Sequence, residues 1–384
     1  MSPYRVVASL AVLMLLGACA GSSTSSGGTS SGPPLAGKRW CVSTPGAIGV
    51  LDQMFNNMVT AATKDGNGLQ IDFVSGNFDF SKQLADTAQF VASGNCAAIG
   101  TITGISSTTA AGWQKAADDA KSKNIVFVNF SADWITDATQ NFGNPHYPAG
   151  HEVGVAAGQW YMAHGGSGSV GVLTNPQSPG LMMRVKGFEE GFNSTIGSTG
   201  TFFEVATGVG GGVTESASAT ASLIQAHRDL KVMFGWGGDT WQGITQAAKE
   251  AGKNTNNFFV GADDIPDAAV NQFSNGTNGL LQAGTQFDYS LAGVAWERSV
   301  EWALLGAKAP VFGYVNPILI DKDNAAELVA ANMDPLNPKY AHFYNEIIFY
   351  FSNPVKTGDP FPDATTGTHW PGVTQVPQKG TTPS

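Results

Sequence analysis

Phe258-Phe259-Val260-Gly261-Ala262-Asp263-Asp264 is the stretch on which the fold turns. An apolar run of strand length ends in two acids, and beyond Pro266 a helical pattern runs over Asp267–Phe273. The same unit recurs around it. Ser169–Thr174, Thr201–Ala206, Val232–Phe234 and Leu280–Thr285 read as further strands. Gly150–Ala163, Leu181–Thr195, Glu215–His227 and Thr240–Ala251 read as the helices between them. The first half repeats the scheme, with strands at Arg39–Ser43, Gln70–Ser75, Ala97–Thr101 and Ile125–Asn129. Its helices fall at Val50–Lys64, Phe80–Ala92 and Thr108–Lys121. Parallel strands need crossover helices, so this alternation predicts an α/β fold of doubly wound parallel sheets. Two groups of units predict two similar lobes, and ligands of such folds bind beyond the carboxyl ends of the strands.

Those ends hold little that suggests catalysis. The 6 histidines are scattered, without HExxH or other metal-ligand spacing. There is no G-x-S-x-G elbow. One GxGxxG, Gly166 to Gly171, precedes a strand instead of joining strand to helix, so a Gly-rich turn accounts for it. The paired acids Asp118-Asp119 read as a solvated helix face. A net charge of -10 without a Lys/Arg cluster argues against a nucleic-acid partner. The expectation is a binding protein, not an enzyme, with no cofactor and no metal.

The N-terminus carries a different signal. Arg5 precedes an apolar run, Val6 to Leu16, too short to span a bilayer comfortably, and Leu16-Gly17-Ala18-Cys19 closes it. This ending resembles the lipobox of bacterial lipoproteins, which implies a signal peptide over 1–18 and lipidation of Cys19. Residues 19–36 are a flexible Gly/Ser linker that lets a body stand off the membrane, and 353–384 form a Pro/Thr/Gly-rich tail. Export leaves Cys41 and Cys96 in an oxidising compartment, where a disulfide is the expectation and two buried free thiols the alternative.

At the strand ends stand Ser43, then Asn129, Ser131, Asp133 and Trp134, then Arg184 in the helix after Thr174, then Trp236, Asp239, Asp263 and Gln286. These are hydroxyl-pairing groups mixed with flat apolar faces. A buried sugar ring needs both, because its C–H face stacks on aromatic surface while each hydroxyl must be paired. Each residue has a plainer reading too. A lone Trp packs a lobe, Arg184 caps a helix or pairs with a surface acid, Asp263 and Asp264 cap the helix after Pro266, and Gln286 sits at a hinge.

Arg184-x-x-Gly187-Phe188, Val260-Gly261-Ala262-Asp263-Asp264 and Gly284-Thr285-Gln286-Phe287, in this order, resemble the type I periplasmic binding proteins, the ribose- and galactose-binding family. The resemblance runs from about Lys38 to about Ile320. It implies two lobes joined by three crossing segments, at 37–142 plus 287–315 and 143–286 plus 316–352. It further implies a monomeric lipoprotein that closes on a monosaccharide or polyol and delivers it to an ABC permease. Arg184, Asp263 and Gln286 would then be ligand contacts. The sequence departs from relatives after the first strand, where Pro45 to Val50 holds no aromatic, and after the fourth, where Ser131-Ala132 replaces an Asp-Arg pair. A sensing role toward a membrane receptor, or a nucleoside or autoinducer ligand, fits the same residues. The two-lobed repressors of the same broad family carry an N-terminal helix-turn-helix where this chain carries an export signal.

Overall fold

The computed structural model describes residues 32–352, apart from 45–48, 77–78, 103–108, 131–134, 177–178, 208–211, 288, 335–336, 341 and 343–346, together with the pair 368–369. Among the described residues no helix is long and apolar enough to cross a membrane. Cys19 and its apolar run lie outside the described residues, in a unit (Met1–Gly32) separate from the body that begins at Pro33.

The body contains two sheets. The first is built from β1 (Arg39–Thr44), β2 (Gln70–Ser75), β3 (Ala98–Thr101), β4 (Val126–Phe130) and β5 (Gln140–Gly143), all parallel. Helices α1 (Gly49–Asp65), α2 (Phe80–Ser93) and α3 (Ala110–Ser122) cross between them. α2 begins under an Asp79 cap, whose Oδ1 accepts from the Ser81 and Lys82 amides. The second sheet is built from β6 (Ser169–Thr174), β7 (Phe202–Ala206), β8 (Leu230–Gly235), β9 (Phe259–Ala262) and β10 (Leu281–Gln286), again parallel. Its helices are α4 (His146–Ala163), α5 (Pro179–Ile196), α6 (Val213–Ala226), α7 (Thr240–Glu250) and α8 (Asp267–Ser274). This is the two-lobed, doubly wound arrangement that the alternation predicts. β1, β3 and β6 are buried nearly throughout, as central parallel strands must be.

The C-terminal third differs from the sequence division. Helix α9 (Tyr289–Leu304) packs on α1, and β11 (Phe312–Val315) joins the first sheet beside β5. β12 (Ile318–Ile320) pairs antiparallel with β10 in the second sheet, and α10 (Ala325–Met333) packs on α8. β13 (Ile347–Tyr350), inside the 316–352 stretch assigned to the second lobe, instead pairs antiparallel with β11 in the first sheet. β14 (Thr368–His369), in the tail, pairs with β13. The chain therefore passes between the sheets from β5 to β6, from β10 to β11 and from β11 to β12, and a fourth time from β12 to β13. The antiparallel pairing explains the addition, since an edge with unpaired amides accepts a returning strand without a crossover helix.

Cys41 and Cys96 are joined by a disulfide, with their Cα atoms 5.9 Å apart. Cys41 lies within β1 and Cys96 just ahead of β3, its neighbour in the sheet, so the bond ties two adjacent strands at their amino-terminal side.

Candidate functional site

A stripe of glycines sets the geometry at the carboxyl ends of the second sheet. α4 carries Gly150, Gly154 and Gly158 at every fourth position, on one helix face, and α5 answers with Gly187 and Gly191. A Cβ on Gly150 would lie 1.9 Å from the Arg184 carbonyl oxygen, and one on Gly187 would lie 2.1 Å from that of Tyr147. Only hydrogen atoms fit there, so the two helix backbones touch. That contact brings His146, at the start of α4, against Arg184 in α5.

Arg184 is buried, with 2% of its surface exposed. Its Nε donates to His146 Nδ1 at 2.9 Å, and its Nη1 donates to the Trp236 carbonyl at 2.9 Å. Nη1 also stands 3.5 Å from Asp264 Oδ2, and the guanidinium carbon lies 5.2 Å from the centre of the Phe287 ring. Because Nδ1 accepts, a neutral His146 carries its proton on Nε2. Burial, and then the Arg184 charge, hold its pKa well below the ordinary imidazole value, so the ring is neutral at physiological pH. Gly237 follows Trp236 at φ 150°, and a Cβ there would meet Arg184 Nη1 at 2.6 Å. A glycine is thus required for this loop to approach the guanidinium.

Asp263 follows β9 and is fully buried. Its Oδ1 accepts from the Thr285 hydroxyl at 2.5 Å, and its Oδ2 has no hydrogen-bond partner among the described residues. Desolvation raises its pKa to about 7 against the opposing pull of Arg184 and the Thr285 bond. Asp264 takes the left-handed conformation, φ 55°, which an Asp adopts more readily than most residues, and its buried Oδ1 is also unpartnered. Two carboxylates with free acceptor positions therefore flank one guanidinium. Neither acid caps the following helix: the residue at its N-cap is Pro266.

Other strand-end candidates do different work. Trp236 is 7% exposed and donates its indole N–H to Thr207 Oγ1 at 2.9 Å, so its ring is fixed within the lobe. Asp239 is exposed and accepts from Gln242 one turn along its own helix, away from the cluster. Gln286 is buried and donates to Asp267 Oδ1 at 2.8 Å and to the Ile265 carbonyl at 3.2 Å; its Oε1 has no partner among the described residues.

At the carboxyl ends of the first sheet, the described candidate side chains are uncharged. Ser43 is buried against Gln83, whose amide donates to the Ser43 and Ile102 carbonyls at 3.0 and 2.6 Å. Asn129 donates to Asn141 Oδ1 at 3.1 Å, and Asn141 in turn holds both the amide and the carbonyl of Ile135. Asn129 and Asn141 thus tie Ile135 to the ends of β4 and β5. Ser131, Asp133 and Trp134 lie outside the described residues.

Sequence reasoning misses His146, Asp264 and Thr285. The glycine stripe opposite Arg184 was the available signal for His146, since such spacing marks the tightest helix contact. A cavity of about 310 Å³ exists elsewhere, beside the disulfide and lined by Arg39, Cys41 and Phe90, at the opposite end of β1 from the strand-end groups.

Residues 42–288 match the family described as the periplasmic binding protein domain. The chain belongs to that family. Membership implies an extracytoplasmic location and a solute-binding role. Comparison with curated proteins gives no match. Among solved structures, an ABC transporter solute binding protein of Bacillus halodurans with bound myo-inositol is similar at TM-score 0.64 and 15% identity, covering 77% of this chain and 98% of that one. A protein of Mycobacterium smegmatis in complex with β-D-fucofuranose aligns at TM-score 0.64 and 16% identity, over 82% of this chain and 99% of the other. The Caulobacter myo-inositol binding protein aligns at 0.64 and 19%, over 77% and 97%. At such identities the likeness establishes the shared two-lobed periplasmic binding protein fold.

Proposed function

We propose that this periplasmic binding protein captures a neutral monosaccharide or polyol between its lobes and presents it to an ABC permease, held at the membrane by lipid on Cys19. The observation that carries the reading is the Arg184–Asp263–Asp264 cluster. It is a buried donor fork beside carboxylate oxygens that lack partners, and a ligand with adjacent hydroxyls satisfies both. The solutes bound in the solved relatives, myo-inositol and β-D-fucofuranose, have that chemistry.

In this reading Asp263 Oδ2 and Asp264 Oδ1 accept from ligand hydroxyls while Arg184 donates. His146 offers the remaining proton on Nε2 and orients Arg184 through Nε. Phe287 and His146 lie on the passages from β10 to β11 and from β5 to β6, with their rings 6.1 Å apart. Closure about these passages therefore bears directly on the groups that hold the ligand. A closed state that makes extra contacts is favoured by the ligand in proportion to those contacts, and it is the state the permease reads.

The test is a thermal-shift screen of the full chain in mild detergent against monosaccharides, polyols and nucleosides. A solute that binds only the folded protein raises its melting temperature by mass action. A rise with a sugar or polyol that disappears in Arg184→Ala supports the reading. A rise with nucleosides alone, or one that survives in Arg184→Ala, overturns it.

A further inference from the structure

A second charged cluster lies apart from the strand ends. It sits where the last residue of α1, Asp65, meets Glu297, Arg298 and Glu301 of α9, two helices that pack along their length. Glu297 and Glu301 are one helical turn apart, so both project from one face of α9. One carboxylate oxygen from each of Asp65, Glu297 and Glu301 lies within 4.8 Å of the others. Glu297, Glu301 and Arg298 are buried, and the Asp65 side chain is 9% exposed.

Charge does not balance in this space. Arg298 forms an ion pair with Asp65, and Asn67 Nδ2 donates to Glu301 Oε2 at 2.8 Å. No other donor reaches the two glutamates among the described residues: both oxygens of the fully buried Glu297, and Oε1 of Glu301, lack hydrogen-bond partners. With all three acids ionised, one guanidinium would leave two negative charges. The end of α1 adds the partial negative charge of its last carbonyls. A buried carboxylate left unpaired is costly, so these acids must either keep a proton or gain a cation.

We propose that Asp65, Glu297 and Glu301 bind a structural divalent cation of the calcium class, which fastens the end of α1 to α9. The donors are all carboxylate oxygens, the set that hard cations select over transition metals. Glu297 has both oxygens available for bidentate binding, and three carboxylates in an irregular buried cage suit calcium's flexible coordination better than magnesium's hydrated octahedron. With their protons displaced, the three acids and Arg298 would carry the two net negative charges that match one such ion. This inference does not depend on the solute bound at the strand ends.

The experiment uses the full chain in detergent, stripped with chelator and then given calcium, magnesium or manganese in turn. The expected result is a rise in melting temperature of roughly 5 °C for calcium, at about a hundredfold excess over its dissociation constant, with smaller shifts for the others. In Glu297→Gln, and separately in Glu301→Gln, the rise is lost; melting of each variant in chelator shows whether it folds. Terbium gives an independent reading, since Trp296 and Trp302 adjoin the ligands on α9 and can sensitise its emission. That emission is expected to be displaced by calcium and to vanish in Glu297→Gln. No shift with any of the three cations, or a shift and emission that persist in both variants, overturns the proposal and leaves the glutamates as a pair sharing a proton.

Discussion

The two sheets present the same architecture to opposite chemistries. At the carboxyl ends of the first, the described Gln83, Asn129 and Asn141 are neutral amides: Gln83 donates to the Ser43 and Ile102 carbonyls and leaves its Oε1 unpartnered, Asn129 donates to Asn141, and Asn141 holds Ile135. At the ends of the second, the ionisable Arg184, Asp263 and Asp264 stand together, and the two acids retain unpartnered oxygens. Among the described residues, the first set mostly bonds its own backbone, while the second keeps unpartnered carboxylate oxygens beside a guanidinium. The difference teaches that position at a strand end nominates a residue, while the state of its hydrogen bonds decides its role.

The sharpest way to break this comparison is to remove the guanidinium. Arg184→Ala leaves the buried Asp263 and the half-buried Asp264 without their cation, and solute affinity should fall by more than a hundredfold, about 3–5 kcal/mol. Isothermal titration measures it, and a loss below tenfold would place Arg184 among the structural residues. Gly150→Ala attacks the helix contact beneath it. Its Cβ would meet the Arg184 carbonyl, so the denaturant midpoint should drop by the equivalent of about 1–3 kcal/mol and solute binding should weaken with it. Asn141→Ala, on the neutral side, frees the Ile135 amide and carbonyl and removes the acceptor of Asn129. It should lower stability by about 1–3 kcal/mol yet change solute affinity less than Arg184→Ala does. Asp239→Ala, exposed and outside the cluster, should stay within about 0.5 kcal/mol by either measure.

Acidity sharpens the comparison further. Asp263 has a folded-state pKa of about 7, raised above the unfolded value, so the native protein holds a proton there that the unfolded chain releases. Its contribution to stability is therefore greatest below the unfolded carboxyl range and declines as pH climbs toward about 7. Solute affinity should run the opposite way, since hydroxyls donate to the ionised carboxylate: affinity falls as pH drops below about 7. Asp263→Asn should flatten that profile. A pH profile unchanged by Asp263→Asn would remove Asp263 from the site.

Much of this was legible in the chain, and the gaps have physical causes. Parallel strands such as Ser169–Thr174 and Phe259–Ala262 are buried on both faces and announce themselves as apolar runs ended by polar residues. Arg184 and Asp263 could be picked out for that reason. α9 could not, because the described side chains from Ala292 to Trp302 are buried all round, and a helix without a wet face has no period to read. Its charged triplet Glu297, Arg298 and Glu301 looks like a solvated turn until Asp65, far away in sequence, is set beside it. His146 stayed hidden for a related reason, since its partner across α4 and α5 is 38 residues distant. Asp239 shows how position alone underdetermines a role: it is an acid at a strand end whose Oδ1 accepts from Gln242 of its own helix.

The central claim is that the charged ends of the second sheet hold a hydroxylated solute. Calorimetric titration of the wild-type chain and Arg184→Ala, each with the monosaccharide or polyol that gives the largest thermal shift, tests it most directly. The account predicts saturable one-to-one binding in the wild type and a loss above a hundredfold in a variant that still melts cooperatively. Equal affinity in the two folded proteins would contradict it.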